Sequence, residues 1–132
     1  MSTLSIRTAL ETALGTVTPA ITTIEENVSV PKPSTAYQQV HILFASPDNA
    51  VFGAEHIERG FMQVKLMYPA NAGAAPAYTQ AEAIRTTFQR GTTFSSGGIK
   101  VIVSDTPEVT PGRIEEGRYA VIVKIRFFSN IN

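Results

Sequence analysis

Hydrophobic and polar positions alternate most regularly between residues 59 and 69, where Met62, Val64, Leu66 and Tyr68 fall on one side of an extended chain and Gln63 and Lys65 on the other. This period predicts a strand with one buried face. Beyond a Gly/Ala-rich crossing at 70–76, Ala77, Ala81, Ile84 and Phe88 recur at spacings of four, three and four. That is the apolar stripe of a helix lying on a sheet, and Gly91 stands where the helix would close. Burying four strand side chains against the stripe contributes about 6 to 12 kcal/mol before entropy, at roughly 1.5 to 3 kcal/mol each. This strand and helix form the expected core.

The flanking segments supply further elements. Residues 2–14 put Ile6, Leu10, Ala13 and Leu14 on one helical face, with Ser2 or Thr3 able to cap the helix and Gly15 able to end it. The β-branched run 21–28 predicts a short edge strand that stops before Pro31 and Pro33, which cannot donate to a ladder. Residues 36–45 predict a strand with Tyr37, Val40, Ile42 and Phe44 mostly on one face and His41 and Leu43 on the other. The Tyr37 to Val40 spacing then requires a bulge or a late start. Segment 46–58, with turn residues Pro47-Asp48-Asn49 and Gly53, reads as an extended hairpin end. Its apolar Val51, Phe52 and Ile57 either fold back on the domain or dock on a partner.

In the second half, Ser95-Ser96-Gly97-Gly98 reads as a turn, Ile99, Val101 and Val103 as a strand, and 106–116 as a connection broken by Pro107, Pro111 and Gly112. The last strand, 118–128, turns Tyr119, Val121, Val123, Ile125 and Phe127 to one face and Ile122, Lys124 and Arg126 to the other. The expected order is α-β-β-β-α-β-β. Neighbouring hairpin strands make this an α+β fold, a single mixed and mostly antiparallel sheet of about five strands with two helices on one face.

Composition narrows the function classes. A chain of 132 residues is read as one domain, 1–132. Eleven basic and eleven acidic residues cancel, so no global field favours nucleic acid or an anionic membrane. With no cysteine there is neither a disulfide framework nor a thiolate metal site. Nothing resembles a leader peptide, and no window approaches the roughly eighteen apolar residues of a spanning helix, so the expectation is a soluble intracellular protein with no membrane partner.

Candidate chemistry is sparse. Only His41 and His56 could serve a dyad or an imidazole metal site, and Glu55-His56-Ile57-Glu58 reads more simply as a solvated polar loop than as a loose metal site. Ser95-Ser96-Gly97-Gly98 lacks the lysine and the following helix of a phosphate cradle. Adjacent Glu115 and Glu116 point apart near a strand start. No catalytic, cofactor-binding or metal-binding residue is therefore assigned. Lys65, Lys124 and Arg126 share the sheet face away from the predicted core, which is either a solvated face or one that meets a neighbouring subunit or lines a passage.

Several segments together carry a family resemblance. They are the short N-terminal helix, Glu26-Asn27-Val28 before prolines, Arg59-Gly60-Phe61-Met62-Gln63-Val64 with Tyr68-Pro69, the helix ending at Gly91, Gly98-Ile99-Lys100-Val101, Pro107, and Gly117-Arg118-Tyr119 before Val123-Lys124-Ile125. In these the chain resembles the small tail-terminator-like proteins of tailed bacteriophages and prophages, a group of minor tail, or tail-completion, proteins. The resemblance spans nearly the whole chain, apart from 46–58.

What it implies is a structural protein rather than an enzyme. It would form a ring, hexameric on the tail, that caps the tail tube, ends tube polymerisation and offers the head its docking surface. The implied partners are copies of itself, the tail tube protein and a head-completion or connector protein, and the implied location is the virion tail after assembly in the host cytoplasm. Val51, Phe52 and Ile57 are then candidates for a subunit or partner interface, and Lys65, Lys124 and Arg126 for a lumen or outer sheet face making at most non-specific contact with DNA. Two other classes remain open: a small α+β enzyme using His41 with a glutamate, and a binding adaptor using 46–58.

Overall fold

The computed structural model describes residues 2–18, 21–24, 26, 31, 34–49, 53, 55–71 and 73–131. Along the chain run α1 (Ser2–Leu14), β1 (Thr22–Ile24), β2 (Tyr37–Phe44), β3 (His56–Pro69), α2 (Ala75–Thr87), β4 (Thr93–Ser96), β5 (Ile99–Val103), β6 (Glu108–Val109), β7 (Arg113–Glu115) and β8 (Arg118–Ile131). The two longest strands, β3 and β8, have 14 residues each and pair antiparallel from end to end, from His56 opposite Ile131 to Pro69 opposite Arg118. At about 3.3 Å per residue the pair is about 46 Å long.

All strands join one mixed sheet in the order β1-β2-β3-β8-β5-β4, with β6 and β7 also on β8. The free edge of β8 is thus shared by β7, β6 and β5 in turn, at Arg118–Ala120, Val123–Lys124 and Phe127–Phe128. Every pairing is antiparallel except β1 on β2.

Both helices lie on one face, because their apolar stripes have the sheet's inward row to bury against. Ile6, Leu10 and Leu14 of α1 and Ala77, Ala81 and Ile84 of α2 join Val40, Ile42, Met62, Val64, Leu66, Val123 and Ile125 in one cluster, closed by the fully buried Phe88. The expected strand, crossing and helix are present, with Pro76 in the first turn of α2, where its missing N–H costs nothing. Gly91 lies beyond the helix, whose cap is Phe88 donating to Ile84. With φ of 87° it turns the chain so that its N–H reaches the Val103 carbonyl.

Among the described residues the sheet holds eight strands rather than about five. Ser95 and Ser96 belong to β4, and the turn is Gly97-Gly98 alone, both at positive φ, as a two-residue hairpin with the sheet's twist requires. The expected connection 106–116 contributes β6 and β7, because the stretch runs beside β8 and its short runs take ladder bonds from that strand. Tyr37 also departs from expectation: β2 continues without a bulge, and Tyr37 faces away from Val40. There it forms a second, small apolar cluster with Ile24, Met67 and Ala120 on the far side of the sheet. Of the predicted edge strand 21–28, Thr22–Ile24 is observed at the sheet edge, and residues 25 and 27–30 lie outside the described set.

Candidate assembly surface

The face of β2, β3 and β8 opposite the helices carries the side chains that no helix among the described residues covers. Pairing register arranges them in rows. Leu43, Phe61 and Arg126 form one; His41, Gln63 and Lys124 the next; then Gln39, Lys65 and Ile122; then Tyr37, Met67 and Ala120. Lys65, Lys124 and Arg126 therefore do share this face. Strand parity adds Arg59 and Arg118, which the sequence reading passed over although Arg59 has the parity of Lys65 and Arg118 that of Lys124.

None of the β2, β3 and β8 side chains on this face is acidic; the carboxylates that meet it come from the short strands beside β8. Lys65 donates to Glu115 of β7, which also accepts from Arg113 at 2.9 Å. The Lys65 ammonium, with Arg113 adding to it, holds the Glu115 carboxyl below its ordinary range. Arg126 lies 3.7 Å from Glu108 of β6, with nearly half of its side chain exposed. Lys124 sits 5.8 Å from the centre of the Phe61 ring, and Arg118 lies 4.8 Å from that of Tyr37 while donating to the Thr35 carbonyl. The result is a set of cations on one face, of which Lys65 is held by Glu115 and Arg126 turns nearly half of its side chain to solvent. Leu43, 47% exposed, is an apolar spot among them.

The hairpin joining β2 to β3 continues past the core: Ala45 donates to Arg59, and Asp48 and Ile57 exchange both backbone hydrogen bonds. This agrees with the expected hairpin end. Ile57 is half-buried at its base opposite Asn130, whereas Val51 and Phe52 lie outside the described residues. His56 and the buried Glu58 pair at 3.0 Å, and among the described residues no three His, Asp or Glu side chains gather closely enough to hold a metal ion.

His41 is exposed on the face away from the helices. Glu26, whose pKa His41 helps to lower only as the smallest of several causes, is already engaged by the Ile42 N–H at 3.1 Å and the Arg7 guanidinium at 3.0 Å. Those two groups lower the Glu26 pKa, the Ile42 bond most. The bonds are structural, tying α1 to β2. Tyr78 and Tyr119 hydrogen-bond each other, which raises the Tyr119 pKa, and Tyr78 accepts from the Gly112 N–H at 2.9 Å; this links α2 to the β6–β7 segment. No helix among the described residues is long and apolar enough to cross a membrane.

Against known proteins, a search of curated sequences finds no match. One solved structure superposes over 100% of this chain and 98% of its own with a TM-score of 0.80 at 22% identity, a likeness that speaks for the fold alone. A family model described as phage tail terminator protein matches residues 5–127, which takes in α1 from Ser5 onward, all of the paired sheet up to Phe127 and the cationic face. The chain belongs to the phage tail terminator protein family and has a structural role in a phage tail.

Proposed function

We propose that the protein caps the tail tube as a ring, hexameric on the tail, ends tube polymerisation and offers a docking surface to the head-completion or connector protein. A closed ring requires two different patches on each subunit that meet by rotation. The sheet has two unlike edges available for this, β1 with the end of β2 on one side and β4 on the other. The hairpin based at Ile57, with Val51 and Phe52 in its sequence, is the arm that reaches the neighbouring copy or the tube protein.

The observation that carries the reading is the segregation of charge. The chain is neutral overall, yet its helix-free sheet face presents Arg59, Lys65, Arg118, Lys124 and Arg126 with no acidic side chain of β2, β3 or β8 on that face. Turned toward the axis, that face meets passing DNA through phosphate contacts, which carry no sequence information. Assembly takes place in the host cytoplasm, before the finished tail receives its head.

Electron microscopy of purified protein mixed with cognate tail tubes tests this directly. The expected images show one ring at a tube end and no further elongation from capped ends. Tubes that stay bare and keep growing at saturating protein overturn the proposal. Tubes are included because an assembly seeded by a tube end need not form in their absence.

A further inference from the structure

We infer that the seam between the two helices and the sheet edge contains a built-in water site bridging Gln38 and Gln80. Both residues sit in the core, 3% and 1% exposed, and both side-chain carbonyl oxygens are buried with no hydrogen-bond partner among the described residues. They line the same cavity, which has about 40 Å³ of room for water and is walled by Leu14 at the end of α1, Gly15 and Val17 after it, Ile21 and Thr23. A water needs roughly 10–15 Å³ of such room and two to four polar partners, so volume and chemistry agree.

The rest of the Gln38 amide is fixed. Its nitrogen donates to the Thr23 hydroxyl at 2.8 Å, which ties β2 to β1. Turning the amide over would exchange an orphan oxygen for orphan N–H groups, so this end of the side chain requires a partner either way. Two acceptors facing one cavity call for a guest that donates twice. Among the described residues no carboxylate lines this cavity, so a cation there would lose its hydration with no opposite charge from them to replace it, whereas water brings two donors at little cost in ordering. The adjoining hollow of about 140 Å³, lined by Glu11, Leu14, Gly15, Thr23 and Val40, shares three of these residues and gives the guest its way in.

Gln38 stands on β2 and Gln80 on α2, and the walls come from the end of α1, so the site fastens three elements at one point. Water-to-protein cross-relaxation NMR on the wild-type protein reads it without any substitution. Expected are long-lived water contacts to the Gln80 side-chain amide and the Leu14 and Val17 methyls. A double-mutant cycle of Gln38→Leu and Gln80→Leu is the second measurement. Each single change should raise the unfolding equilibrium constant about tenfold, Gln38→Leu somewhat more because it also loses the Thr23 bond, and the double variant should be no worse than Gln38→Leu alone. A dry cavity, a direct hydrogen bond between the two amides, or additive effects of the two substitutions would overturn the inference.

Discussion

Gly60 has a place no other residue can fill. A methyl group there would lie 2.1 Å from the Leu43 carbonyl oxygen and 3.0 Å from the Phe44 Cα, so it would collide with backbone rather than with a side chain that could turn away. In the ladder Gly60 stands between Phe44 and Phe127, and those rings meet edge to face across it, with centroids 5.9 Å apart. Gly60→Ala should therefore cost at least about 2 kcal/mol, seen as a lower urea midpoint at unchanged slope. At Gly112 a methyl group would meet a side chain instead, the Tyr119 ring, 1.9 Å from its hydroxyl and 2.1 Å from its Cζ, and that hydroxyl is bonded to Tyr78. Gly112→Ala should also destabilise, by pushing the Tyr119 ring off its bond to Tyr78. At this scale the sequence was readable wherever alternation was unbroken, as at Met62, Val64 and Leu66. Tyr37 was misplaced because an aromatic next to a strand start looks like core, and its actual partners, Met67 and Ala120, are distant in sequence.

Among the elements, β3 and β8 were legible because fourteen-residue strands show their period many times over. The strands of two and three residues, β6 and β7, show no period at all; they exist because β8 offers a free edge, and Pro107 lies just before their ladder positions while Pro111 lies between them. That lone edge is pinned by Glu116-Gly117, both at positive φ in a two-residue turn, and by the Lys65 to Glu115 bond that crosses β8. Two carboxylates thus hold elements together, Glu115 joining β7 to β3 and Glu26 joining β2 to α1. Both have folded pKa values below the ordinary carboxylate value, so their contribution is fully present above about pH 5. It is lost as pH falls through the lowered folded values. Thermal melts from pH 6 to pH 3 should show falling stability, and the Glu26→Gln, Glu115→Gln double variant should show a shallower fall. Parallel curves for the two proteins would place the acid sensitivity elsewhere.

For the whole molecule, the sharing of one face by Lys65, Lys124 and Arg126 was visible in strand parity alone, but the bonds that separate their roles were not. Lys65 is held by Glu115 and so has a structural task, which makes it a poor probe of function. Lys124, over the Phe61 ring, and Arg126, 3.7 Å from Glu108, can lose their charges with little consequence for folding. Lys124→Gln with Arg126→Gln should leave stability within about 0.5 kcal/mol and tube capping intact. If the face lines a passage, short duplex DNA binding to the assembled ring should then become less salt-dependent. The slope of log K against log salt should drop by about 0.9 per subunit charge that touches a phosphate. An unchanged slope, with capping retained, would put this face on the outside of the ring and leave the capping proposal standing.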